Sequence, residues 1–372
     1  MIPLKLVAAN DPVGAMIALG EALAGRQAVF VAAPEAGLLP EPLSLPSEVE
    51  DNVALTVESS GSTGEPKRIQ LSREALLASA TGSDSALGGA GQWLLALPIT
   101  YIAGLNVLIR SLVANAQPVI MNTALPFTPE GFANSASQLA GVRRYTSLVP
   151  TQLWRLLATA ESDPFVLAQL RSFTAILVGG AAVDTALIER AASLGIDVVT
   201  SYGSAETAGG VVYDGVAFKG TKLSLDLKGR ILISGPTLAN DLALTTLMGK
   251  QWFRTSDLGR FTTDEKLEVI GRVNRVINSG GIKVSLDTIE ELVRSVGGVV
   301  EVAALAVQDA EWGQRVALVY VGSPEIADFI AAECLSQLGA AAKPVRVVRV
   351  ASLPKLPSGK IDYLGFASAI QS

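Results

Sequence analysis

Between residues 93 and 200, short apolar runs alternate with amphipathic stretches, and this alternation restricts the possible folds more than any other feature. Positions 93–97, 118–121, 145–149, 174–178 and 196–200 are mostly apolar stretches of strand length, with polar residues inside the third and fifth. Between them, 102–113, 129–139, 151–160 and 184–194 read as helices, with Ile102, Leu105, Leu108 or Ile109, and Leu112 on one face of the first. Strands buried on both faces lose the polar–apolar alternation, and parallel neighbours need a crossover between them. The pattern predicts an α/β fold with a largely parallel sheet and flanking helices.

The texture changes on either side of this block. Upstream, 28–33 is a strand candidate, 53–57 reads as a buried strand, and Ser72 is placed to cap a helix reaching about Ala80. After Tyr202, short strands at 211–213, 221–227, 230–234 and 267–270 predict a small β-subdomain. From about Gly271 the chain reads as a small α+β unit, with helices at 286–296 and 325–338 and strands at 299–307, 315–321 and 345–350. The expected organisation is a large N-terminal domain over 1–271 and a small, mobile C-terminal domain over 272–372, with a hinge near Asn274.

Composition narrows the function classes. Among 372 residues, 49% are apolar and 17% charged, as in a globular protein with a sizeable core. A net charge of -6, from 29 basic and 35 acidic residues, argues against a general nucleic-acid binder. The absence of histidine excludes Ser-His-Asp and Cys-His catalysis and the common histidine metal sites. A single cysteine, Cys334, on the apolar face of a predicted helix reads as a packed thiol in a reducing compartment. With no signal-peptide layout and no apolar run of membrane-spanning length, the expected location is cytoplasmic. The sequence leaves the oligomeric state open, a homodimer included.

The most chemical stretch is Ser59-Ser60-Gly61-Ser62-Thr63-Gly64-Glu65-Pro66-Lys67, set between two predicted strands. Glycines let backbone N–H groups approach an anion, hydroxyls add donors and Lys67 adds charge, so its composition suits phosphate. A polar surface hairpin fits it equally well. It is not a Walker loop, because Pro66 precedes the lysine and no Ser or Thr follows it. Ser201-Tyr202-Gly203-Ser204-Ala205-Glu206-Thr207 follows a predicted strand end, where open α/β sheets bind ligands. Asp257, in Arg254-Thr255-Ser256-Asp257, can accept hydrogen bonds from vicinal hydroxyls, or simply open a turn.

The wording of these stretches resembles the adenylate-forming superfamily of acyl-CoA synthetases, adenylation domains and luciferases, over roughly residues 53–365. The first loop resembles its phosphate loop. Tyr202-Gly203-Ser204-Ala205-Glu206 resembles its Tyr-Gly-x-Thr-Glu motif, with Ala205 in the threonine position. Gly180-Ala181 resembles the small-residue turn beside adenine, and Asp257 lies in an Arg-Thr-Gly-Asp-like element with Ser256 replacing glycine. Arg272, Asn274 and Gly280-Gly281 resemble the hinge and the glycine turn after it. Lys360, within Leu353-Pro354-Lys355-Leu356-Pro357-Ser358-Gly359-Lys360, resembles the C-terminal lysine signature.

This resemblance implies ATP, Mg²⁺ and coenzyme A as ligands, with a small carboxylic acid as the other substrate. Tyr202 would stack on adenine, Asp257 and Arg272 would meet the ribose, Glu206 would hold Mg²⁺ on the nucleotide and Lys360 would bridge carboxylate and α-phosphate. Ser204 or Thr207 would replace the missing threonine hydroxyl, or that contact is absent. Gly280 and Gly281 would line the pantetheine passage. The chain's shortness and the segment around Tyr101 look most like the short bacterial 2-succinylbenzoate–CoA ligases of menaquinone synthesis, which commonly carry histidine where Tyr101 stands. Tyr101, Ser204 and Gly209 are the candidates for the acyl side. The alternatives are a ligase for another aromatic or medium-chain acid, and an adenylate-binding homologue without catalysis, suggested by Ala205 and Ser256.

Overall fold

The computed structural model describes residues 1–32, 45–60, 66–247, 249–355 and 361–363. The first sheet contains β1 (Ile2–Ala8), β2 (Ala28–Ala32), β3 (Glu48–Val49), β4 (Val53–Ser60) and β5 (Pro66–Ser72), in the order β3-β1-β2-β4-β5. β1, β2 and β4 are parallel, and β5 returns antiparallel to β4 with Ser59 opposite Lys67.

The alternating block forms the second sheet: β6 (Gln92–Leu95), β7 (Val119–Ile120), β8 (Arg144–Leu148), β9 (Ala175–Gly179), β10 (Val198–Ser204), β11 (Gly209–Tyr213) and β12 (Val216–Ala217). Its order is β12-β11-β10-β9-β8-β6-β7. The five strands from β10 to β7 are parallel, as the apolar runs predict, and β11 and β12 add an antiparallel edge.

The helices of this part are α1 (Pro12–Leu23), α2 (Arg73–Ala86), α3 (Ile102–Val113), α4 (Pro129–Ala136), α5 (Pro150–Ala160), α6 (Pro164–Arg171) and α7 (Thr185–Ser193). Asp11, Ser72, Thr128, Asp163 and Asp184 each accept a first-turn N–H through the side chain, which satisfies donors no intrahelical carbonyl can reach. The helix predicted to end near Ala80 continues to Ala86 and stops before Gly88, whose φ of 81° is left-handed. On one face of the second sheet, Phe132, Leu153, Leu156, Leu157, Val166, Ile176 and Val178 form one core with essentially no exposure. Burying each such side chain contributes about 1.5–3 kcal/mol.

The predicted small β-subdomain is the third sheet, of β13 (Lys222–Leu225), β14 (Arg230–Ser234), β15 (Leu244–Leu247), β16 (Lys250–Phe261) and β17 (Leu267–Arg272), ordered β13-β14-β16-β15 with β17 also on β16. The fourth sheet has β18 (Val276–Ser279), β19 (Ile282–Ser285), β20 (Val299–Asp309), β21 (Gly313–Gly322) and β22 (Arg346–Arg349), ordered β19-β18-β21-β20 with β22 on β21. It packs with α8 (Leu286–Arg294) and α9 (Ala327–Leu338) around a core that includes Ile289, Val293, Tyr320 and the fully buried Cys334. The chain divides into two compact units, Met1–Leu223 with Ile233–Phe253, and Ser224–Leu232 with Arg254–Ser372. No helix among the described residues is long and apolar enough to cross a membrane.

Candidate active site

The carboxyl end of β10 carries Tyr202, Gly203 and Ser204, all half-buried, and leads into a 3₁₀ turn at Ala205–Thr207. A register shift between Tyr202 and Gly203 bends the strand against β11. Only glycine fits at 203, because a Cβ there would overlap the carbonyl oxygen of Gly209. Thr207 closes the turn: its hydroxyl accepts from Ser204 N–H at 2.9 Å and lies 2.7 Å from the Gly209 carbonyl and 3.1 Å from that of Ser204. The Glu206 carbonyl accepts from Ala239 N–H at 2.8 Å. Glu206 is thus half-buried on a turn whose backbone is tied on several sides. Thr207 is fully buried and its hydroxyl is used by the turn, so it is not free to replace the missing threonine.

Beside this turn, β9 ends at Gly179, followed by the exposed Gly180 and Ala181, so both turns lie at carboxyl ends of adjacent parallel strands. Such ends are where open α/β sheets take ligands. Tyr101 is the N-cap of α3, with its carbonyl accepting from Gly104 and Leu105 N–H at 3.1 Å. Gly209 opens β11. The Ser/Gly stretch joins the antiparallel pair β4–β5, with Lys67 exposed on β5. Gly61, Ser62, Thr63 and Gly64 lie outside the described residues, as do the side chains of Ser59 and Ser60.

Asp257 and Arg272, fifteen positions apart in sequence, are directly opposite each other on β16 and β17. The Arg272 Nε lies 3.3 Å from the Asp257 Oδ1. Thr255 supports this edge, donating to the Ile231 carbonyl at 3.0 Å and accepting from Asp257 N–H at 3.1 Å. Asn274 is exposed on the 3₁₀ turn Val273–Arg275. Gly280 and Gly281 form the two-residue turn of the β18–β19 hairpin, with φ of 59° and 85°. Two consecutive left-handed residues define the turn type that matches strand twist, and glycine adopts it without steric cost. Gly280 is further fixed by the Trp312 ring, 2.8 Å from where its Cβ would be, whereas the space beside Gly281 is open among the described residues.

Lys360 lies outside the described residues, but its flanks are anchored. Lys355 and Ile361 form an antiparallel bridge, Asp362 N–H donates to the Pro354 carbonyl at 2.9 Å, and Lys355 pairs with Glu301. Tyr363 donates its hydroxyl to the Glu290 carboxylate, 3.0 Å from each oxygen. Glu290, 2% exposed, also accepts from Ala304 N–H at 2.7 Å, from Arg294 at 2.8 Å and from Arg275, whose guanidinium lies 4.0 Å over the Tyr363 ring and also pairs with Asp287. Burial pushes the Glu290 carboxyl up, against the pull of the two guanidiniums. Burial, then the negative charge of Glu290, pushes the Tyr363 phenol up as well. The sequence reading missed this cluster. Its signal was Glu290 among Leu286, Ile289 and Val293 on the buried face of α8.

Residues 7–243 match the family described as AMP-binding enzyme, and residues 288–360 match the AMP-binding enzyme C-terminal domain. A probable 2-succinylbenzoate–CoA ligase of Mycobacterium tuberculosis is 37% identical over 356 residues, covering 93% of this chain and 92% of that protein. The 2-succinylbenzoate–CoA ligase of Escherichia coli is 30% identical over 271 residues, 69% of this chain and 56% of that one. Among solved structures, the o-succinylbenzoate CoA synthetase of Bacillus subtilis in complex with its acyl-adenylate intermediate superposes with a TM-score of 0.76 at 21% identity, covering 94% of this chain and 80% of the other. At that identity the likeness establishes the fold. The architecture is that of an adenylate-forming enzyme. With its first match alone spanning more than half of the sequence, the chain belongs to the AMP-binding enzyme family.

Proposed function

We propose that this protein is an ATP-dependent acid–CoA ligase that converts 2-succinylbenzoate to 2-succinylbenzoyl-CoA. The observation that carries the proposal is 37% identity to a probable 2-succinylbenzoate–CoA ligase over nearly the whole length of both chains. A carboxylate oxygen attacks the α-phosphorus of ATP, the bond to pyrophosphate breaks, and an acyl-adenylate results. The coenzyme A sulfur then attacks the acyl carbon, the thiol proton passes to solvent and AMP leaves with the bonding electrons.

Both steps depend on charge neutralisation and alignment, which a chain without histidine can supply. In this reading Lys360 and the Ser59–Lys67 loop neutralise phosphate charge, and Tyr202 stacks on adenine beside Gly180 and Ala181. Asp257 and Arg272 take the ribose hydroxyls. Among the described residues no three acidic or cysteine side chains form a metal cage, and a single carboxylate fits a Mg²⁺ that arrives on phosphates. Glu206 would hold that ion, which supplies further charge neutralisation at the phosphates. Tyr101, Ser204 and Gly209 face the acid, Gly280 and Gly281 line the pantetheine passage, and the C-terminal domain turns about Asn274 between the two steps.

The test is ATP–pyrophosphate exchange followed by thioester formation, with 2-succinylbenzoate against benzoate and medium-chain acids. The expected result is exchange driven by 2-succinylbenzoate at least tenfold above the others. Tyr101, where the resemblance expects histidine, favours as second reading a ligase for another acid, which would show exchange with that acid instead. AMP binding with no exchange for any acid would leave only the non-catalytic alternative.

A further inference from the structure

Ala208, the residue after the 3₁₀ turn, is left-handed, with φ 52° and ψ 36°, and is completely buried. An L-residue with a Cβ adopts this conformation at a steric cost, so the surroundings must impose it. Hydrogen bonds inside the turn account for part: Ala208 N–H donates to the Ala205 carbonyl at 3.1 Å. The rest comes from far away in sequence. The Ala208 carbonyl accepts from Ser79 Oγ at 2.8 Å and from Asn106 Nδ2 at 2.9 Å. Ser79 is on α2 and Asn106 on α3, and both are buried; one turn beyond Asn106 the equally buried Arg110 is taken up by the Tyr213 hydroxyl at 3.1 Å. Two donors occupy both lone pairs of one carbonyl. The Asn106 amide also stands against the next residue, so that a Cβ at Gly209 would overlap it.

We infer that Ser79 and Asn106 are positioning residues: by clamping the Ala208 carbonyl they fix the turn that presents Glu206 on one side and Gly209 on the other. The inference rests on the roles proposed above for those two residues. A buried polar group is costly unless paired, and neither helix needs Ser79 or Asn106 for its own capping. Their pairing with one strained carbonyl gives both side chains a purpose. Because Tyr101 is the N-cap of α3, the helix that follows a proposed acyl-side residue also carries half of the clamp.

Either donor alone keeps the carbonyl paired, and only the loss of both leaves it orphaned, so the effects should be super-additive. The variants are Ser79→Ala, Asn106→Leu, the double variant, and the double variant with Ala208→Gly. The readouts are kcat and KM for acid and for ATP in pyrophosphate exchange, amide hydrogen exchange of the 204–210 segment, and thermal unfolding. Each single variant should stay within about threefold of wild type, while the double variant loses on the order of 10- to 100-fold in kcat/KM, the range expected for one orphaned buried carbonyl. Its 204–210 amides should exchange faster. Ala208→Gly should recover part of that loss, because glycine adopts the left-handed conformation without steric cost although the carbonyl stays unpaired.

Multiplicative single effects, or a lower unfolding temperature with unchanged kcat/KM and unchanged turn exchange, would overturn the inference. So would a double variant that Ala208→Gly rescues in neither activity nor turn exchange. If wild type shows no exchange with any acid, the proposed function fails, yet the amide exchange of the four variants still decides the clamp. Should the double variant not fold, Asn106→Leu decides alone: 204–210 exchange faster than wild type supports the clamp, and unchanged exchange refutes it.

Discussion

Tyr363→Phe isolates one hydroxyl at the foot of the segment that carries Lys360. The ring survives, and with it the packing against Ala303, Leu305, Val319 and Leu353 and the stacking under Arg275. What is lost is one O–H donor shared by the two Glu290 oxygens at 3.0 Å each. A hydrogen bond to a charged group is worth about 1.5–3 kcal/mol. Here the carboxylate keeps Ala304 N–H, Arg275 and Arg294, so it is not orphaned, and the low end, about 1.5 kcal/mol, applies. In a cooperative unit of this size that corresponds to a drop of roughly 3–6 °C in its unfolding midpoint.

Calorimetry measures this loss directly, and Tyr363→Leu, which also removes the ring, must cost more. If Lys360 acts as proposed, loosening its downstream anchor should slow adenylation several-fold while coenzyme A attack on supplied acyl-adenylate stays near wild type. A midpoint within about 1 °C of wild type, together with unchanged adenylation, would show that the hydroxyl holds nothing in place.

Two further predictions follow from other residues. Lys360→Ala should reduce adenylation by about a hundred- to a thousandfold, as for loss of a principal electrostatic stabiliser, and leave thioester formation from acyl-adenylate nearly intact; equal damage to both half-reactions contradicts the role. Burial pushes the Cys334 thiol up to about 11. At pH 8 the folded thiol should therefore react with disulfide reagents at least about a hundredfold more slowly than the urea-unfolded chain. The native state holds this proton longer than the unfolded one, so the thiol's contribution to stability is full below about pH 8.5 and declines as pH rises toward 11. Rapid native labelling, or rising stability over that window, would contradict it.

The parallel sheet was legible because its central strands β6, β8 and β9 are buried on both faces, and α2 was legible by its Ser72 cap. β1 was not, because Ile2-Pro3-Leu4-Lys5 mixes a proline and a lysine into a strand exposed at alternate positions. α6 escaped notice although Asp163-Pro164 supplies both a cap and a favoured first residue. Within the site, motif wording identified Asp257 and Arg272, but their pairing across two strands is a matter of register, which neither stretch encodes alone. Ser79 and Asn106 left the faintest trace, a hydroxyl and an amide on buried helix faces, since their purpose is a carbonyl more than one hundred residues away. Conversely, Thr207 looked from sequence like a free hydroxyl, and folding commits it to its own turn.

The facing of Asp257 and Arg272 determines what kind of group that strand edge can welcome. Opposite charges at 3.3 Å present a nearly neutral rim with acceptors on one strand and donors on the other. A phosphate would meet a carboxylate there, and an ammonium would meet a guanidinium, whereas an alcohol can join both without separating them. If Asp257 and Arg272 take the ribose as proposed, such a pair sorts by polarity rather than by charge, and its grip on the sugar should barely weaken as salt is added, unlike contacts made to ionic groups.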